Sequence, residues 1–205
     1  MMPMSNPEEK TMSKRPEVHQ PLAVICFHNL NIVAVCLMAA SGLQIYNANP
    51  VFGGRTGTQV PELFCLGGWL AGGRHWHFAA MWLFAFNLLF YVSYVIWNKR
   101  YLKRYFSPAD MRAILNPDNP KRVTYAWHRL VYTAILPLLI FALITGPAMF
   151  KPAQLGWLVQ SFGGWESLRI FHFATVPLLV LFVVVHSFLA FKSGGITLVR
   201  SMFRW

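Results

Sequence analysis

Four apolar runs, each 23 to 25 residues long, constrain this chain more than anything else in it. They are Leu22 to Tyr46, His75 to Trp97, Trp127 to Phe150 and Leu168 to Phe191. About 20 apolar residues carry a helix across a hydrocarbon layer about 30 Å thick, so each run is long enough to cross once. Lipid offers the backbone no hydrogen-bond partners, so an isolated apolar crossing must be helical. Only 12% of residues are charged against 56% hydrophobic, a balance that excludes an ordinary soluble domain. The expected fold class is all-α, an integral membrane four-helix bundle formed by residues 21–205. Residues 1–20 are polar, with Pro3, Pro7, Pro16, Glu8, Glu9 and Glu17 and no apolar core. They read as a disordered tail and not as a cleaved signal peptide.

The net charge of +11 is unevenly placed. Fourteen of the 18 Lys and Arg residues fall in the N-terminal tail, the second loop (Lys99 to Arg122), the start of the third span and the C-terminal tail. The opposite side carries Arg55, Arg74, Lys151 and Arg169. The positive-inside rule then puts both termini in the cytoplasm. Anionic lipid headgroups account for the basic loop, so membrane lipid is the expected partner there and no nucleic acid is expected. Trp69, Trp76, Trp97, Trp127, Trp157 and Trp165 sit at the predicted boundaries and anchor helix ends. Cys26, Cys36 and Cys65 have no metal-ligand spacing, and neither a disulfide nor an iron–sulfur cluster is expected.

Histidine is the residue whose placement needs explaining. Titratable side chains at membrane depth are costly and mark function. His172 and His186 lie 14 residues apart in the fourth run. Fourteen helical steps make four turns less about 40°, so the two rings share a face, about 21 Å apart along the axis. Span direction assigns depths to the others. His28 lies near the cytoplasmic side, and His75 and His77 lie near the outer side. Depth matching pairs His28 with His186, and His77 or His75 with His172. Each pair can clamp one haem iron, and such bis-histidine ligation suits electron transfer. His75 and His77 are about 200° apart on a helix, so only one faces the bundle. His77, the deeper, is the expected ligand, with His75 at headgroup level or against a propionate. His128, at the start of the third span, has no depth-matched partner and reads as a propionate contact, a quinone-pocket residue or plain interfacial placement.

Gly42 follows His28 by 14 residues, and Gly146 is its counterpart in the third span. Both are candidates for the close approach of a macrocycle to the backbone. Arg74 and Arg169 flank the outer pair and are candidate donors to propionates. The outer loops, Asn47 to Arg74 and Lys151 to Ser167, carry Phe52, Leu63, Phe64, Leu66, Leu155 and Phe162 as candidate docking contacts.

This set of residues resembles the bacterial cytochrome b561 and nickel–iron-hydrogenase cytochrome b superfamily, which includes formate dehydrogenase membrane subunits. The resemblance rests on a histidine early in the first span, another opening the second, and Arg169-x-x-His172 with His186 beyond it. The Ser41-Gly42-Leu43 and Thr145-Gly146-Pro147 span ends add to it. Tyr125, Phe162-Gly163-Gly164 and Arg200-Ser201-Met202 point to the short cytochrome b partners of periplasmic, sulfite-oxidase-like molybdopterin oxidoreductases. His128 departs from the pattern, where glutamine or a similar residue is expected.

The resemblance implies a bacterial inner-membrane protein with two haem b groups and quinone as electron donor or acceptor. It also implies a redox partner subunit on the periplasmic face, a molybdoenzyme or a hydrogenase. A stand-alone superoxide:quinone oxidoreductase belongs to the same class. The residues alone also leave open a haem-free scaffold or proton-relay subunit. The chain itself shows no paired carboxylates, nucleophile–base pair or nucleotide loop, so an electron-transfer subunit is expected and not a catalyst on its own.

Overall fold

Pro21 opens the first long helix, because its fixed φ suits a helix start and its missing N–H has no partner to lose there. The computed structural model describes residues 20–203, and the 1–19 part of the predicted tail lies outside the described residues. Seven α-helices follow in order among the described residues. They are α1 (Leu22–Ala48), α2 (Leu70–Trp97), α3 (Tyr101–Arg104), α4 (Pro108–Leu115), α5 (Pro120–Phe150), α6 (Gly156–Ser161) and α7 (Trp165–Arg200). Two short 3-10 turns, Gly54–Thr56 and Glu62–Phe64, lie in the first loop.

α1, α2, α5 and α7 are each long and apolar enough to cross a membrane. At 27 to 36 residues they run roughly 40 Å or more. They therefore overshoot the sequence-predicted spans. Hydropathy marks the hydrocarbon part, whereas the helices continue through polar segments such as Leu70 to Arg74 and Pro120 to Ala126. Their outward faces are apolar: Val33, Phe86, Leu89, Phe90, Val180, Leu181, Val184 and Phe188 are all at least half exposed. Patches of that extent belong against lipid. The six boundary tryptophans are all exposed, from 40% at Trp165 to 88% at Trp97.

The bundle is two helix pairs. α1 packs along α2 and α5 along α7, and contact between the pairs is thin. At mid-height, Ala34, Phe84, Leu88 and Leu139 form one buried cluster, with Leu179 against it. This cluster joins the two pairs and divides the space between them into two ends. Arg169 adds a tie, donating from Nη2 to the Asn49 carbonyl at 2.7 Å. At the far end of α7, Gly195 (φ 61°) breaks the helix. The chain then turns back, and Asn29 Nδ2 of α1 donates to the Met202 carbonyl at 3.2 Å.

The connections are ordered by side-chain caps. Asn119 accepts from the Lys121 and Arg122 amides at the start of α5, with Pro120 in the first turn. Ser107 and Asp110 form a capping box on α4. In the first loop Asn47 exchanges two 2.8 Å bonds with Val60. Gly67 (φ 121°) lies so close to Gly73 that an added Cβ would be 2.3 Å from its amide nitrogen, so no side chain fits there. Of the predicted docking residues, Leu155 and Phe162 are partly buried against the small core of Ala148, Val159 and Leu168.

Asp110 has another role. Its side chain is fully buried, and it pairs with Arg122 at 2.7 Å and Arg129 at 2.9 Å. Arg129 also donates to the Tyr105 carbonyl. Burial alone would raise the carboxyl pKa, but the Ser107 hydrogen bonds and the two guanidinium groups outweigh it and hold it below the ordinary value. Asp110→Ala strands the Arg129 charge, which is only 12% exposed, and is expected to cost about 3 kcal/mol. Because the folded pKa is lowered, this contribution is complete above about pH 4. It is lost as pH falls through the folded value. Melting curves of wild type and Asp110→Ala between pH 3 and 7 check both points, and the gap between the two should narrow toward the acid end.

Candidate functional site

Between the helix pairs, at the end bearing His77 and His172, lies a cavity of about 620 Å³. Gly42, Arg74, His77, Gly146, Arg169 and His172 are among the residues that line it. Each helix pair supplies one imidazole, His77 from α2 and His172 from α7. The ring centroids stand 6.3 Å apart with planes at 84°.

The two histidines are held in matching ways. His77 Nδ1 lies 3.1 Å from the Met38 carbonyl and 3.1 Å from Ser41 Oγ. A carbonyl only accepts, so Nδ1 carries the proton. Ser41 Oγ donates to the Leu37 carbonyl at 2.5 Å and is therefore free to accept. His172 Nδ1 lies 2.8 Å from Thr145 Oγ1, which is also 2.8 Å from the Phe141 carbonyl. With the hydroxyl proton on that carbonyl, Thr145 accepts and Nδ1 carries the proton, as in His77. In both rings the lone pair is left on Nε2, the tautomer in which a metal-ligating histidine is oriented by its other nitrogen.

The adjacent glycines complete each platform. A Cβ on Gly42 would lie 3.3 Å from His77 Cε1, and one on Gly146 would lie 3.5 Å from His172 Cε1. The first space these glycines provide is thus for the imidazole rings. Arg74 is exposed at the cavity. Arg169 is already engaged with Glu166 at 2.8 Å and with Asn49. His75 is exposed and is not among the cavity-lining residues.

At the other end, His186 lies flat between two rings. Phe182 stacks on it at 5.2 Å and 16°, and His128 at 5.8 Å and 25°. His28 also lies within electrostatic reach of His186, and Phe203 stands edge-on to His28 at 6.3 Å. The Nδ1 atoms of His28 and His186 are both buried and without a hydrogen-bond partner. Packing of α5 on α7 puts His128, which the sequence left over once His28 and His186 were paired, against His186. Sequence reasoning also missed Ser41 and Thr145, although each immediately precedes one of the two glycines it singled out.

Among the described residues, no three His, Cys, Asp or Glu side chains converge as an all-protein metal site requires. Paired imidazoles across an open slot suit instead a metal that brings its own equatorial ligands, as haem does. The tautomers, the glycine platforms and the cavity all fit that group.

Comparison with known proteins agrees with this arrangement. The sequence pattern of the family described as prokaryotic cytochrome b561 matches residues 19–205. A putative protein-methionine-sulfoxide reductase subunit, YedZ1, of Azospira oryzae is 35% identical over 185 residues, covering 85% of this chain and 91% of the relative. No solved structure matches the chain. The protein is a multi-pass protein of the bacterial inner membrane. With the match running through all four long helices, the chain belongs to the prokaryotic cytochrome b561 family.

Proposed function

We propose that this chain is the electron-carrying membrane subunit of a molybdopterin-dependent oxidoreductase, with two bis-histidine haem b groups and quinone as its membrane redox partner. The observation that carries the reading is the facing pair His77 and His172, each with Nδ1 anchored and Nε2 left for a metal. Family membership implies b-type haem. His28 and His186 would hold the second haem, His77 and His172 the first. A b-type haem held this way supplies one-electron exchange without an open coordination position. The chain's own residues fix the imidazole planes, and the mid-height cluster around Phe84 and Leu139 keeps the two ends apart. Arg74 is the better placed of the two candidate propionate donors, since the Arg169 guanidinium already has partners. Quinone exchange is assigned to the His28–His186 end, where His128 lies within electrostatic reach of Arg104.

The partner is proposed to be a catalytic subunit on the periplasmic face. The relative's description as a reductase subunit supports a partner subunit, and the distribution of basic residues supports the face. In the first loop, Leu63 is 89% exposed and Phe64 57%. Leu63→Asp and Phe64→Asp are expected to slow partner-linked haem turnover at least tenfold, with haem content and quinol-driven reduction unchanged. Stopped-flow absorbance of the complex tests this, and normal partner kinetics in both variants would remove the outer face as the docking site.

Both termini are proposed to be cytoplasmic, from the distribution of basic residues. Reporter fusions at the C-terminus and within Gly53 to Gly57 should give opposite signals. A periplasmic C-terminus inverts the assignment of ends but leaves the histidine pairs as they are.

A further inference from the structure

The two ends of the bundle treat their histidines differently. At one end each imidazole has an accepting hydroxyl on Nδ1, from Ser41 for His77 and from Thr145 for His172. At the other end the Nδ1 atoms of His28 and His186 are buried without a partner. Ser41 and Thr145 are both fully buried. Each hydroxyl also reaches the carbonyl four residues back, Leu37 or Phe141, and with its proton placed there the oxygen accepts from its histidine. Hydroxyls in helices commonly form such back-bonds, but here the back-bond also fixes the direction of the second hydrogen bond.

We infer that Ser41 and Thr145 are positioning residues that lock His77 and His172 in the Nδ1–H tautomer and thereby lower the reduction potential of the haem between them. This rests on the proposed pairing of His77 with His172. The physical step is short. A hydrogen bond accepted from Nδ1–H makes the imidazole a stronger electron donor through Nε2. A stronger donor favours the ferric over the ferrous state and moves the potential down. The Nδ1 atoms of His28 and His186 have no such hydroxyl among the described residues. The two hydroxyls differ in weight. Thr145 is the hydroxyl partner of His172 Nδ1, whereas His77 keeps the Met38 carbonyl when Ser41 is lost.

The test is a potentiometric titration of the intact purified protein, following the haem α-bands and the low-spin ferric electron paramagnetic resonance signals. Thr145→Val, which keeps the shape and removes the hydroxyl, should raise the midpoint of the His77–His172 haem and shift its largest g value. The other haem should not move. Thr145→Ser should restore the wild-type midpoint, and Ser41→Ala should shift it less, in the same direction. Loss of this haem from Thr145→Val with retention in Thr145→Ser also supports the inference, because the hydroxyl is what that variant restores. An unshifted midpoint in Thr145→Val overturns it, as does an equal shift in Thr145→Val and Thr145→Ser, which would mark a packing effect. Failure of the pairing itself is read separately: His77→Ala and His172→Ala would then remove different haems.

Discussion

Replacing His172 with alanine is expected to halve the haem bound per chain, and replacing His186 to halve it by removing the other haem. The two residues share α7 but lie on opposite sides of the mid-height cluster to which Leu179 contributes. His172 faces His77 in the cavity, and His186 lies among Phe182, His128 and His28. Alanine would leave the proposed haem with one protein ligand, and its loss through purification is the expected outcome. Pyridine haemochrome assays on both variants give the counts, and their separate electron paramagnetic resonance signals show which haem is gone. If the same signal disappears from both, the two-centre arrangement is wrong. A variant that keeps both haems removes its histidine from the ligand set.

His77→Ala should cost the same haem as His172→Ala, while His75→Ala should keep both. The two histidines are separated by one residue on α2, yet their surroundings are opposite. His77 is fixed through Nδ1 to Met38 and Ser41 and lines the cavity. His75 is exposed on the other side of the helix, beside the exposed Trp76. The expected contrast is therefore a haem content of about half in one variant and an unchanged content in the other. Loss of a haem from His75→Ala with retention in His77→Ala would move the ligand and with it the whole His77 platform.

The histidine positions were readable from the sequence because membrane depth and helical period act on single residues. Apolar length sets the span, direction sets the depth, and 14 residues set the face. The same reasoning picked out Gly42 and Gly146 but not their use. Only the packing of α2 on α1 and of α7 on α5 shows that the rings of His77 and His172 lie over them. Ser41 and Thr145 were hidden for a related reason. A hydroxyl in an apolar helix is satisfied by its own backbone, so nothing in the sequence demands a second partner. His128 was left over because depth had already paired His186 with His28, and only the packing of α5 on α7 shows that it stacks on His186 as well. The sequence also does not reveal that Leu155 and Phe162 turn part of their surface onto Ala148 and Leu168. Helix ends were underestimated wherever polar residues carry a helix beyond the hydrocarbon layer. Asp110 went unremarked because its two arginines reach it only after α4 packs on α5.

The measurement that bears most directly on the account is the haem stoichiometry and spin state of the intact, unmodified protein purified from membranes. A reduced-minus-oxidised b-type spectrum with two haems per chain, both low-spin in the ferric state, is the predicted result. A colourless preparation, a single haem per chain, or a high-spin ferric signal from a haem with an open position would contradict it.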